Sequence, residues 1–236
     1  MRQRWRIGAA LWVASALLLP VQLIVALQWP DGYSVTRNAI SDLGVTVCGP
    51  FTEGGVVREV CSPWHVGFNA GMVASGVLTA LGAVLLHGCW SSRSGRVATI
   101  LMAVVGVCVV AVGFAPWDRQ PALHDGAAAA QALVQWAAML LLAVAAGRSV
   151  FRWLTIAAVA VSILGFAAFL LALDGAALPG LSFGIAERLS FDTLTVWTAA
   201  VGVAVLVGRR SGHRSAARAW RSPPASPPDR ENRPEP

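Results

Sequence analysis

"WLTIAAVAVSILGFAAFLLAL", residues 153–173, runs without a single charged side chain. At 1.5 Å per residue a helix of this length covers about 30 Å, the hydrocarbon thickness of a bilayer. Five further stretches read the same way, at about 7–27, 65–88, 96–115, 125–146 and 187–208. The composition agrees. Of 236 residues 56% are hydrophobic and 13% charged, with mean hydropathy +0.62, where a soluble domain carries roughly 25% charged residues. Long alternating-strand patterns are absent, which argues against a barrel. The predicted fold is therefore all-α: a polytopic membrane protein, a bundle of six transmembrane helices.

The net charge of +6 would suit a nucleic-acid binder, but its distribution argues against one. Arg2, Arg4 and Arg6 precede the first span; Arg93 and Arg96 lie between the second and third, Arg148 and Arg152 between the fourth and fifth, and seven arginines follow the sixth. The alternate loops and span starts hold only Arg37, Arg58, Arg119 and Arg188, together with nine acids. Fourteen arginines against four is the positive-inside pattern. It predicts both termini in the cytoplasm and the loop 28–64 outside, in a multi-pass protein of a bacterial plasma membrane. The first span reads as a retained signal-anchor, because its apolar run is long and no clear cleavage site follows.

The membrane domain is expected to cover 1–208. The tail, 209–236, is rich in Arg, Pro and Ser and is expected to be disordered. Cys48 and Cys61 both fall in the first outer loop, where an oxidising compartment favours a disulfide. Cys89 and Cys108 read as small apolar fillers.

Polar side chains inside a bilayer turn inward or line a cavity. Here they gather in the outer half. His65 and Asn69 are four apart at the start of the second span. His124, Gln131 and Gln135 share a face of the fourth, and Arg188, Asp192 and Thr195 share one on the sixth. Gln22 lies in the outer half of the first. The segment "TRNAISDLG", 36–44, leaves the first span with Asn38, Ser41 and Asp42 close together. It is expected to fold back over the outer mouth as a short turn or helix ended by Gly44, with Asp42 facing Arg188, His65 or His124. In the second span Gly67, Gly71, Ser75, Thr79 and Ala83 recur every four residues, a surface for close helix packing within the bundle.

The pattern Asn38-x-Ile40-Ser41-Asp42-Leu43-Gly44 resembles domain-of-unknown-function family 998 of prokaryotic membrane proteins. So do Gly113 and Pro116 followed by His124, and Gly184-x-x-Glu187-Arg188 with Trp197 beyond. The resemblance covers about 1–208 and implies a multi-span membrane fold. It implies no assigned reaction. A more distant similarity to Frag1-like six-span proteins would imply lipid-linked work.

The candidate site is thus an outer polar cluster of Asn38, Ser41, Asp42, His65, Asn69, His124, Asp125, Gln131, Glu187, Arg188 and Asp192. No HExxH, HxxxH or G-x-S-x-G pattern accompanies it, and no metal or cofactor is expected. One reading is an outward-facing pocket that binds a lipid headgroup or a membrane partner protein. The alternative is an outward-facing hydrolase or transferase on a lipid-linked substrate, with histidines and carboxylates as acid and base. A transporter fits less well, because the polar lining stops halfway across and no inverted repeat is evident. A hydrogen-bonded plug that only holds six helices in register is the purely structural reading.

Overall fold

In the computed structural model the protein is described over residues 2–53 and 56–219, with side chains over 3–52 and 57–208. Six helices are long and apolar enough to cross a membrane, and the protein is a multi-pass membrane protein. The first span comes in two pieces, α1 (Arg2–Ser15) and α2 (Leu18–Ala26). Pro20 explains the break: it has no N–H to give the carbonyl of Ala16, and its ring crowds that carbonyl. The chain crosses the gap on tighter bonds, Leu17 N–H to Ala14 O at 3.0 Å and Leu19 N–H to Ala16 O at 3.0 Å.

The remaining spans are α3 (His65–Leu86), α4 (Arg93–Phe114), α5 (Pro121–Ala145), α6 (Val150–Leu173) and α7 (Phe183–Ala219). Ser92 and Ser149 cap α4 and α6, accepting the N–H of Gly95 at 3.1 Å and of Arg152 at 3.2 Å, and Pro121 begins α5 where a missing N–H costs nothing. Two helices start about a turn earlier than hydropathy alone suggests: α5 at 121 and α7 at 183. Of the tail, the backbone to Ala219 continues α7; residues 220–236 lie outside the described residues, and so does the expectation of disorder there.

The helices close a ring in the order α1, α3, α4, α5, α6, α7 and back to α1. Small residues set the tightest contact. A Cβ on Gly76 would lie 2.6 Å from the carbonyl oxygen of Gly106 and 2.7 Å from the nitrogen of Val110, so α3 and α4 touch backbone to backbone there. The neighbouring stripe on α3 faces the first span: Ser75 donates to the Ser15 carbonyl at 3.0 Å, and Trp12 Nε1 donates to that of Thr79 at 3.0 Å. Trp12, Leu86, Met102, Met139, Leu142 and Val201 fill the end of the ring nearer the chain termini with a dry apolar core.

The opposite end carries a cap. Residues 41–44 form a short 3-10 turn, and a hairpin of β1 (Gly49–Glu53) and β2 (Val56–Val60) follows, antiparallel, with Phe51 opposite Arg58. Sequence reasoning did not foresee the hairpin. Leu43, Val45, Val60, Phe68, Trp29 and Val25 bury together beneath it. The expected Cys48–Cys61 disulfide is present, with a sequence separation of 13. In the chain-entropy account a loop of that size is worth about 3 kcal/mol. Replacing both cysteines by serine is expected to lower stability by that order, read by unfolding of the purified protein with and without reductant. An unchanged midpoint would mean that the packed hairpin holds itself together.

Candidate functional site

The segment 36–44 is held down from three sides. Asp42 is 1% exposed. Its carboxylate accepts Nε and Nη2 of Arg58 at 2.8 and 2.9 Å, the backbone N–H of Ala39 at 3.0 Å and Nδ2 of Asn38 at 3.3 Å. This is a bidentate, charge-assisted pair. The Arg58 guanidinium also lies over the ring of Phe183, 4.7 Å from its centroid. Strand alternation puts Arg58 and Val60 on one face of β2, turned into the cap.

The second hold comes from α7. The carboxylate of Glu187 accepts the backbone N–H of Ile40, and that of Ser41 at 3.4 Å. These are unpaired donors at the start of the 3-10 turn, so Glu187 caps it from a helix 147 residues away. Beside it, Arg188 Nη1 donates to the carbonyls of Gly184 at 2.9 Å and Asn38 at 3.1 Å, and Nη2 donates to the Tyr33 hydroxyl. Tyr33 in turn donates to the Ala39 carbonyl at 2.6 Å. Burial pushes the Tyr33 hydroxyl above the ordinary phenol range, against the pull of Arg188, so it stays a donor. The third hold is Asn69 Nδ2, which donates to the Gly44 carbonyl at 2.9 Å.

Beneath the cap lies a cavity inside the ring, lined by α1 to α5 and α7, with Ile40 and Ser41 at its roof. From Glu187 to Thr198 its wall descends α7 by about 16 Å. Its volume is about 70 Å³, space for on the order of five waters. The polar lining includes Gln22, His124, Gln131, Gln135, Glu187 and Asp192. Gln135 is bound to the Leu194 carbonyl at 3.1 Å and the Thr198 hydroxyl at 3.0 Å. Asp192 Oδ1 accepts Nε2 of Gln22 at 2.9 Å. His124 Nδ1 lies 2.8 Å from the Ala115 carbonyl; as the donor there, it leaves Nε2 an acceptor. Gln131 is 7% exposed and lines the cavity, and its amide makes no hydrogen bond within the described residues. Neither lysine nor arginine lines this space.

The structure thus divides the predicted cluster in two. Asn38, Asp42, Asn69 and Arg188 belong to the latch that fastens the cap. Ser41, His124, Gln131, Glu187 and Asp192 line the cavity. His65 turns to the Ser62 carbonyl at 2.9 Å and does not line the cavity, and Asp125 is exposed and does not line it either. The expected pairing of Asp42 with Arg188, His65 or His124 is corrected: Asp42 belongs to Arg58. A helical side chain leans toward the N-terminus of its own helix. Arg188 therefore reaches up to the cap carbonyls and away from Asp192 one turn below. Arg58 and Tyr33 were missed. The alternation of Val56, Arg58 and Val60 behind Gly54-Gly55 was the available signal. Among the described residues no group of three or more His, Cys, Asp or Glu is placed to hold a metal ion.

A family profile described as "Protein of unknown function (DUF998)" matches residues 12–204. The match runs from the end of α1 into α7 and takes in α2 to α6, the cap, Glu187 and Arg188, and the chain belongs to this family. No curated protein and no solved structure matches it.

Proposed function

We propose that this member of the family is a membrane binding protein whose capped cavity faces outward and takes a lipid headgroup. The observation that carries the reading is the amide of Gln131, which lines a polar cavity inside an otherwise apolar ring and makes no hydrogen bond within the described residues. Its donors and acceptor therefore face the cavity space, where a ligand's polar atoms would meet them. The apolar plug below Thr198 supports binding over passage, since the cavity stops partway through the ring. The arginine asymmetry supports an outward-facing cap, because the arginine-rich turns lie at the other end. A cysteine placed in the 148–152 turn should then resist an impermeant maleimide in intact cells; ready labelling would reverse the orientation.

Binding is tested with soluble headgroups that lack acyl chains. Glycerophosphoethanolamine, glycerophosphoglycerol or glycerophosphocholine, titrated onto detergent-purified protein, should raise the thermal midpoint for at least one of them through mass action. Gln131→Leu should abolish that rise while preserving the stability of the unliganded protein, because the amide makes no hydrogen bond within the described residues that the substitution would break. No rise with any of the three, or a rise that survives Gln131→Leu, would sink the reading.

A further inference from the structure

A second concavity of about 500 Å³ runs along the membrane-facing side of α7 beside α6. Its lower part is apolar, with Leu154, Ala158, Val196 and Ala200; its upper part carries Arg188 and Asp192. From Ile185 to Ala200 it extends about 22 Å along the helix, longer than one leaflet's share of the roughly 30 Å hydrocarbon layer. Asp192 borders both this groove and the central cavity. Its hydrogen bond to Gln22, which lines the cavity and not the groove, links α7 to α2 on the cavity side.

We infer that the groove holds a zwitterionic aminophospholipid of the outer leaflet, its chain along α6 and α7 and its amine turned past Asp192 into the cavity. The inference rests on the headgroup reading and assigns the class of headgroup and its route. The charges carry it. Arg188 and Asp192 both line the upper groove. The carbonyls of Gly184 and Asn38 and the Tyr33 hydroxyl hold the Arg188 guanidinium in place there, a fixed positive charge that suits a phosphate. Inside, the cavity presents Glu187, Asp192, the amide of Gln131 and the imidazole of His124, with neither lysine nor arginine among its lining residues. A buried carboxylate calls for a positive partner, and an ammonium group provides the charge with its hydrogen-bond donors. An anionic headgroup without an amine would bring a second negative charge into the same space.

The test uses the full chain in nanodiscs of equal parts phosphatidylethanolamine and phosphatidylglycerol, transferred to mild detergent and weighed by native mass spectrometry. One phosphatidylethanolamine should stay bound per chain. Asp192→Asn keeps the acceptor for Gln22 and removes the charge; it should lower that retention about tenfold or more, the worth of one charge-assisted hydrogen bond. Ala200→Trp fills the groove at a membrane-exposed position and should displace the lipid while leaving the response to soluble glycerophosphoethanolamine intact. Retention unchanged by Ala200→Trp would overturn the groove, and equal retention of phosphatidylglycerol would overturn the amine. A dimer with no lipid would assign the groove to a second copy of the chain. In each of these a headgroup response still sensitive to Gln131→Leu leaves the cavity reading standing. Loss of that response in the wild-type chain is the separate sign that the cavity reading itself has failed.

Discussion

Arg58→Gln should cost about 3–5 kcal/mol of stability, the effect of stripping one partner from a buried ion pair. Asp42 would be left with the Ala39 N–H and the Asn38 amide, both neutral donors for a carboxylate almost wholly out of water. Asp42→Asn strands the opposite charge. It should cost somewhat less, because the rings of Phe183 and Trp117 still face the guanidinium. The double substitution should be milder than the sum, with a coupling inside the roughly 0.5–3 kcal/mol range seen for residues of one network. Unfolding of the four proteins in the same detergent measures it. Additivity within about 0.3 kcal/mol would mean that the pair is a surface contact in all but appearance. The cycle belongs on Asp42 and Arg58; an equivalent one on Asp42 and Arg188, which meet only through Asn38, should show a smaller coupling.

Glu187→Leu is the second large effect. It removes the acceptor for the N–H groups of Ile40 and Ser41 at the roof of the cavity. Each orphaned donor costs about 1–3 kcal/mol. The 3-10 turn should loosen first, so hydrogen exchange at Ile40 and Ser41 should quicken well before the transmembrane amides respond. Glu187→Gln retains a carbonyl at the same place and should recover much of the protection. Exchange at those two amides left unchanged by the leucine variant would show that the turn is held by Asp42 and Asn69 alone.

The spans were legible because a bilayer leaves little choice: twenty apolar residues in a row have few other uses. The grouping of His124, Gln131 and Gln135 was legible from helical spacing, and all three line the cavity. What escaped reading lies where that periodicity stops. Arg58 was counted as a loop charge, because five residues of strand between two cysteines give only a brief period-two signal. Tyr33 carried no pattern at all; its role follows from the carbonyls of 38 and 39 turning toward it. The i, i+4 spacing of Arg188 and Asp192 suggested a pair, but spacing does not say which way a long side chain leans. Asp125, next to His124, shares its depth and not its face.

The break at Ala16 and Leu17 bears on how the ring is assembled. The cap's own latch, Asp42 with Arg58 and the cysteine bridge, lies within about the first quarter of the chain and is available as soon as that quarter leaves the ribosome. Glu187, Arg188 and Asp192 arrive only with the last span. Until then Ile40, Ser41 and Gln22 lack their partners on α7, and the short α2, released from α1 by Pro20, has no side chain of α7 to meet. The upper half of the first span is thus finished twice, once locally and once at the end of synthesis. Closure of the cap marks the moment at which the sixth helix has found its place.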